Sequence, residues 1–210
     1  MSLDAEWALR WVRRSADSIA EAKDELTELD RQIGDGDHGA NMDRGFAAVR
    51  AKVEGLAPEG VGDVLKVVAT TLMSTVGGAS GPLYGTAFLR AAKVTGIPEL
   101  NAHAVVALLE GALEGITSRG KATVGEKTMV DAWSPAVDAA EAAAAAGADP
   151  LGVLDAALAA ARVGAESTVD LVATKGRASY LGERAIGHRD PGAQSSSLIL
   201  REAAVAAGAK

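Results

Sequence analysis

Apolar residues recur at helical spacing along almost the whole chain, and this periodicity is the feature that most limits its fold. Between residues 61 and 76, and again between 151 and 172, they lie three or four positions apart along one face. No segment has the strict apolar-polar alternation of a half-buried strand. The pattern predicts an all-α protein of about eight helices, at residues 3–29, 41–55, 61–76, 82–95, 100–118, 127–146, 150–173 and 195–207.

The connections between these predicted helices are short and rich in glycine. Helices joined by short connections run antiparallel to their neighbours in sequence, so we expect an up-and-down helical bundle or closed helical barrel. The chain has 210 residues and shows neither an interdomain linker nor an internal repeat, so one domain over residues 1–210 is expected.

Composition excludes several classes of protein. The chain has no cysteine, which rules out a disulfide scaffold, a thiolate zinc site and a cysteine nucleophile. A formal net charge of −7 without a Lys/Arg cluster disfavours nucleic acid as a partner. The charged N-terminal segment has no apolar stretch of a signal peptide, and no segment reaches the about 20 apolar residues of a membrane helix. We therefore expect a cytoplasmic protein that does not bind membranes.

Five segments between the helices are rich in Gly, Asp and hydroxyl residues, at 30–41, 77–85, 120–128, 175–179 and 188–197. In an up-and-down barrel, alternate loops share an end. Four of the segments follow helices that are expected to point the same way, and the fifth leads into the last helix. The arrangement predicts that all five converge at one rim and form a ligand site there.

The first of these segments contains three carboxylates within eight residues, Asp30, Asp35 and Asp37. Residues two apart in an extended turn project to the same side, and Asp30 can join the other two from the end of the first helix. Close carboxylates repel one another unless a cation lies between them, and oxygen ligands suit Mg²⁺ or Ca²⁺. A metal site is the favoured interpretation, with an acidic turn that only caps the next helix as the alternative.

Two further segments have features of an anion site. The motif GGASGPLYG at 77–85 leads into a helix, with Pro82 at its start, and the free backbone amides of a helix N-terminus bind anions. A tight turn that needs glycine for its geometry alone explains this motif equally well. Arg177 is a single cation in the loop at 175–179, where it can face phosphates or remain solvated.

Five ordered motifs resemble those of a known family. They are IGDGDHG at 33–39 with NM at 41–42, GGASGPLYG at 77–85, GEKTMVDAW at 125–133, GRASY at 176–180 and DPGA at 190–193. They resemble the nucleotide-binding L subunits of phosphotransferase-dependent dihydroxyacetone kinases, which form an eight-helix antiparallel barrel. The resemblance implies that Asp30, Asp35 and Asp37 hold two Mg²⁺ ions and act in catalysis together with Arg177. It also implies a nucleotide site that consists of His38, Gly39, Ala40, Asn41, Ala79, Ser80, Gly120, Met129, Arg177, Asp190, Pro191 and Gly192.

The same resemblance implies a reaction and its partners. The bound nucleotide is ADP, which a phosphocarrier M subunit converts to ATP in place, and the phosphoryl group passes to dihydroxyacetone held on a separate K subunit. A homodimer is left open. The alternatives are a nucleotide domain that serves a related ketose such as erythrulose, the nucleotide domain of a fatty-acid kinase, and a non-catalytic Mg-nucleotide sensor.

Overall fold

The computed structural model describes residues 2–94 and 97–209, and within them it contains helices and no strand. The nine α-helices are α1 (Ala5–Glu21), α2 (Lys23–Ile33), α3 (His38–Val53), α4 (Val61–Thr75), α5 (Ser80–Val94), α6 (Ala102–Gly120), α7 (Val130–Ala145), α8 (Pro150–Ser167) and α9 (Pro191–Ala207). Two 3-10 segments, Thr168–Asp170 and Arg177–Ala185, lie between α8 and α9. The predicted all-α class is confirmed.

The helices pack as a closed ring. From α3 to α9 each helix contacts the next one in sequence, with α2 against α3 at one end of the series. The first helix, α1, packs against both α3 and α9, which closes the ring. This arrangement agrees with the predicted up-and-down barrel, with α1 and α2 together forming one of its walls.

Three tryptophans and three other aromatic side chains lie in the interior. They are Trp7, Trp11, Trp133, Tyr84, Phe46 and Phe88. The indole Nε1 of Trp7 donates to the carbonyl of Ala203 at 3.0 Å, and that of Trp11 donates to the carbonyl of Ile199 at 2.9 Å. Both acceptors lie on α9, so the two bonds fasten α1 to the last helix of the ring. A buried indole N–H needs such an acceptor, because leaving it without one costs free energy.

The predicted boundaries were wrong in several places. The predicted helix 3–29 is two helices, because Ala22 interrupts α1 with φ −88° and ψ 3°, and the second helix continues to Ile33. The start of α3 is His38 rather than residue 41, and the start of α9 is Pro191 rather than residue 195. The predicted start at residue 127 fails because Lys127 has φ 61°, so α7 begins at Val130.

The remaining helix ends agree with the sequence in part. Asp149 caps α8 by accepting the N–H of Gly152 at 2.8 Å, and Pro150 occupies the first helical position. Beyond Ser167 this helix gives way to the first 3-10 segment instead of reaching residue 173. The predicted helix 82–95 begins two residues early, at Ser80, and its last predicted residue lies outside the described residues. None of the helices in residues 2–94 and 97–209 combines the length and apolar character needed to cross a membrane.

Candidate functional site

The three predicted carboxylates meet at the rim of the ring. Asp30 lies in the last turn of α2 and is buried, whereas Asp35 and Asp37 are exposed in the loop that leads to α3. One carboxylate oxygen from each residue lies within 4.8 Å of the other two. This separation suits a shared cation, and a set of carboxylate oxygens is the kind of ligand set that Mg²⁺ takes.

The buried Asp30 organises this loop. Its Oδ2 accepts the backbone N–H of Asp37 at 2.8 Å and that of His38 at 3.0 Å. A Cβ at Gly34 would overlap Oδ1 of Asp30, so glycine allows the backbone to pass close to the carboxylate. Asp30 therefore fixes the positions of both the loop and the first residue of α3.

Arg177 reaches the same cluster from a distant part of the chain. It is the first residue of the second 3-10 segment, and its Nε lies 2.9 Å from Oδ2 of Asp35. Both side chains are substantially exposed, at 70% for Arg177 and 39% for Asp35. The predicted cation thus lies beside the predicted metal ligands.

All five predicted segments line one polar cavity of about 390 Å³, and this confirms that they converge. Its lining includes Asp30, Asp35, Asp37, His38, Gly77, Gly78, Ala79, Ser80, Lys127, Thr128, Lys175, Gly176, Arg177, Asp190 and Pro191. Helices α3, α5 and α9 begin at His38, Ser80 and Pro191, so three helix N-termini open on this cavity. The positive ends of three helix dipoles favour an anion there.

An apolar cavity of about 400 Å³ adjoins the polar one and shares Ala79, Thr128, Lys175 and Gly176 with it. The rest of its lining is mostly apolar and consists of Pro82, Leu83, Ile116, Arg119, Gly120, Ala122, Met129 and Val130. A polar compartment that continues into an apolar one can take a ligand that carries phosphates at one end and a flat apolar group at the other.

Four of the predicted site residues do not line either cavity. Asn41 is buried next to Gly77, and its Oδ1 accepts from Nη2 of Arg44 at 2.6 Å. Gly39 packs tightly on the backbone of α2, Ala40 is exposed on α3, and the carbonyl oxygen of Gly192 lies 3.2 Å from Oη of Tyr84. Gly39, Asn41 and Gly192 therefore lie behind the walls of the site, and Ala40 lies on the outer surface of α3.

Burial shifts the pKa of two groups at the site in opposite directions. His38 is almost wholly enclosed, and burial lowers the pKa of its imidazole to about 4. The charges of Asp30 and Asp37 raise this pKa, but by less than burial lowers it. Asp190 caps α9 by accepting the N–H of Ala193 at 2.7 Å. Burial raises the pKa of this carboxyl to about 7, and the charge of Asp131 adds to the effect while the bond from Ala193 opposes it.

The role of Lys127, which is the most buried lysine at the site, was not predicted from the sequence. Its Nζ donates to the carbonyl of Thr168 and, at 2.5 Å, to that of His188. Burial lowers the pKa of this ammonium group. Asp131 holds the loop that precedes α7, because its carboxylate accepts the N–H of Gly125 at 2.5 Å and that of Thr128 at 2.8 Å. Together they join the loop at 121–129 to the segments before α9.

Comparison with known proteins identifies the family. A model of the DAK2 domain matches residues 32–205. The ADP-binding subunit DhaL of PEP-dependent dihydroxyacetone kinase 1 from Listeria innocua is 46% identical over 201 residues, which make up 95% of each chain. The corresponding subunit DhaL of Escherichia coli is 43% identical over 208 residues, or 99% of each chain.

A solved structure has the same fold. The dihydroxyacetone kinase of C. freundii matches 94% of this chain with a TM-score of 0.71 and 25% identity. Its complex with AMP-PNP and Mg²⁺ matches the same share with a TM-score of 0.72. The chain spans about a third of that kinase, at 34% and 33% of its length in the two structures. From the domain match and the near full-length identity to two subunits, we conclude that the chain belongs to the DAK2 domain family.

Proposed function

We propose that this chain is an ADP/ATP-binding phosphotransferase subunit that passes a phosphoryl group from a bound Mg-nucleotide to dihydroxyacetone held on a partner subunit. The observation that carries the proposal is the group of three carboxylate oxygens within 4.8 Å, at the edge of a polar cavity that continues into an apolar one. Relatives that are 43% and 46% identical are ADP-binding subunits of dihydroxyacetone kinases, which supports the choice of nucleotide and substrate.

In this proposal, Asp30, Asp35 and Asp37 hold two Mg²⁺ ions. Their donor set fits the metal, because all three residues offer carboxylate oxygens and two of the side chains are open to solvent and to a phosphate ligand. When bound, the ions would neutralise phosphate charge and stabilise the negative charge that spreads over the transferred group. Asp30 keeps the loop in place, so the two exposed aspartates can adjust to the metal.

The nucleotide phosphates would lie over the N-termini of α3 and α5. His38, Ala79 and Ser80 line the polar cavity at these two N-termini, and Arg177 provides a planar cation at its edge. Asp190 and Pro191 close the cavity from the start of α9. Gly39, Asn41 and Gly192 would act by supporting these walls.

The base would occupy the apolar cavity between α5, α6 and α7. Leu83, Ile116 and Met129 supply apolar surface there, and Gly120 ends α6 at its rim. A base that leaves water for this surface adds binding free energy, while the shared residues Ala79 and Thr128 connect it to the phosphates.

Phosphoryl transfer depends on positioning and on neutralising charge, and the residues around the polar cavity serve those two tasks. We propose that the acceptor hydroxyl and the group that deprotonates it are supplied by the K subunit. The relatives' dependence on PEP favours a phosphocarrier M subunit, which would recharge the bound ADP. A homodimer and a cytoplasmic location stay predictions.

An assay of dihydroxyacetone phosphate formation with three compositions tests this function. The chain alone should give no product, the chain with the K subunit should give at most one turnover per bound ATP, and adding the phosphocarrier with its phosphate source should give sustained turnover. Turnover by the chain alone with free ATP would show a self-sufficient kinase and contradict the subunit role.

A further inference from the structure

Five side chains form a continuous chain of hydrogen bonds behind the polar cavity. Ser196 Oγ lies 2.9 Å from Tyr84 Oη, which lies 2.7 Å from Ser195 Oγ. Ser195 Oγ lies 2.9 Å from Nε2 of His38, and Nδ1 of His38 lies 3.1 Å from Oγ of Ser80. Tyr84, Ser195 and Ser196 are wholly buried, whereas His38 and Ser80 line the cavity. These hydrogen bonds thus connect the interior to the first residue of α5.

The direction of these bonds follows from the number of protons that each group carries. Tyr84 is the hydrogen-bond partner of Ser196, so the buried hydroxyl of Ser196 donates to it. The single phenolic proton of Tyr84 then has two acceptors, Ser195 Oγ at 2.7 Å and the carbonyl of Gly192 at 3.2 Å, and the shorter bond leads to Ser195.

The same comparison applies at Ser195. Its oxygen accepts the hydrogen bond from Tyr84. Its own proton can then go to Nε2 of His38 at 2.9 Å or to the carbonyl of Gly192 at 3.2 Å. The shorter bond leads to His38. An Nε2 that accepts a hydrogen bond in a neutral imidazole leaves the ring proton on Nδ1, which then donates to Ser80.

We propose that Tyr84 and Ser195 are positioning residues that hold His38 in the Nδ1–H tautomer and thereby turn the hydroxyl proton of Ser80 outward into the polar cavity. Ser80 accepts from His38 on one side, and its own proton is free for an anionic oxygen on the other. In the opposite tautomer, Ser80 would donate to His38 and present only lone pairs to a phosphate, which repels them. This inference rests on the proposed function, because it assigns Ser80 to phosphate binding.

The tautomer of His38 is measurable without nucleotide. In a long-range ¹H–¹⁵N spectrum of the ¹⁵N-histidine-labelled protein near neutral pH, protonated and unprotonated ring nitrogens have distinct shifts. The chain contains three histidines, and the signals of His38 are assigned by their loss in His38→Gln. We expect Nδ1 to be protonated and Nε2 to be unprotonated. A protonated Nε2 in the wild-type protein would overturn the proposal, and this result depends on no variant of the hydrogen-bond chain.

Two variants test the effect on the ligand. Tyr84→Phe keeps the buried ring and removes the phenol, so Ser195 is free to turn to Gly192. Ser195→Ala removes the donor to His38 directly. In Tyr84→Phe we expect a growing share of the Nε2–H tautomer. Both variants should bind Mg-ADP about tenfold more weakly, since the bond from Ser80 to a charged acceptor is lost in part.

A matched control is Ser197→Ala, which removes another buried hydroxyl from the same helix outside the hydrogen-bond chain. It should retain wild-type affinity and the wild-type spectrum of His38. Unchanged affinity and unchanged tautomer in folded Tyr84→Phe would contradict the proposal. A wild-type protein that fails to bind Mg-ADP contradicts the proposed function, whereas a wild-type protein that binds Mg-ADP with Nε2 protonated contradicts this inference alone.

Discussion

The Nε atom of Arg177 lies 2.9 Å from Oδ2 of Asp35, and this pair joins the two sequence motifs that carry the site's opposite charges. The two residues are 142 positions apart in the sequence, and the ring of helices brings them to the same rim. Because both side chains are exposed, water and salt screen the pair and its own contribution to stability is small. Arg177 is therefore free to leave Asp35 when a metal and a phosphate arrive.

Replacing Arg177 with lysine should slow phosphoryl transfer more than it weakens ADP binding. Lysine keeps the charge but loses the planar fork that spans two phosphate oxygens, so we expect about tenfold slower transfer with ADP affinity within about threefold. Single-turnover transfer to dihydroxyacetone on the K subunit, with parallel calorimetry of ADP, measures the two effects. Arg184→Lys, on the same 3-10 segment and also exposed, is the control. An unchanged transfer rate in Arg177→Lys would place this side chain outside the mechanism.

Asp35→Asn and Asp37→Asn should each abolish Mg-dependent nucleotide binding without loss of helix. Both residues are exposed, so their replacement removes a metal ligand and little packing. Changes to groups that merely support a metal ligand already cost 10- to about 100-fold in affinity, so the loss of a ligand should cost about 100-fold or more. Titration with Mg-ADP and far-UV circular dichroism test the two expectations, with the exposed Asp155→Asn on α8 as control. Retained affinity in both variants would refute the metal assignment.

Gly34→Ala should impair the metal site through Asp30. The backbone φ of −146° is open to alanine, but its Cβ would overlap Oδ1 of Asp30. The carboxylate must then move, so we expect about tenfold weaker Mg-dependent ADP binding. Gly60→Ala is a matched control, since its nearest neighbour would be 3.9 Å away at the carbonyl of Ile97. Equal affinities of the two variants would show that this close approach does not matter for binding.

Asp190 should make the folded state less stable as pH rises. Its pKa is about 7 in the folded protein and 3.8 in an exposed carboxyl, so its stabilising contribution is complete below about 4 and is lost as pH rises through 7. The asparagine of Asp190→Asn stays neutral and can still cap α9, so this variant should not lose that stability as pH rises. The opposing effect of His38, whose pKa lies near 4 instead of 6.5, is common to both proteins.

Urea unfolding of the metal-free and nucleotide-free proteins, at pH values from below 4 to above 7, measures this difference. The free energy of unfolding of Asp190→Asn should rise relative to wild type across that window, by a few kcal/mol at most, and then stay level. Parallel profiles for the two proteins would mean that the carboxyl of Asp190 titrates near its ordinary pKa.

The helical class, the ring and the meeting of five loops could be predicted from the sequence, because each depends on patterns within short segments. Apolar spacing determines which helix faces are buried, and short connections determine helix direction. The acidic segment was identifiable because carboxylates so close together need a cation. The interruption at Ala22 was missed because no glycine or proline marks it, and the second 3-10 segment was missed because it is short and bends at Gly182.

Contacts between distant segments account for the rest. Lys127 is a single charged residue in a glycine-rich loop, and only the folded chain shows that the carbonyls of Thr168 and His188 surround its ammonium group. Tyr84 likewise has the helical spacing of a core residue, and its bonds to Ser195 and Ser196 cross more than 100 residues of sequence, with separations of 111 and 112. Sequence spacing carries no information about such pairs.

Calorimetric titration of ADP into the nucleotide-free chain, with Mg²⁺ and then with EDTA, tests the account most directly. A single metal-nucleotide site at the rim predicts one ADP per chain in the presence of Mg²⁺. It also predicts at least about 100-fold weaker binding in EDTA, because the carboxylates then repel the phosphates. Equal ADP affinity with and without Mg²⁺, or no binding under either condition, would contradict the assignment of Asp30, Asp35 and Asp37 to a nucleotide-bound metal.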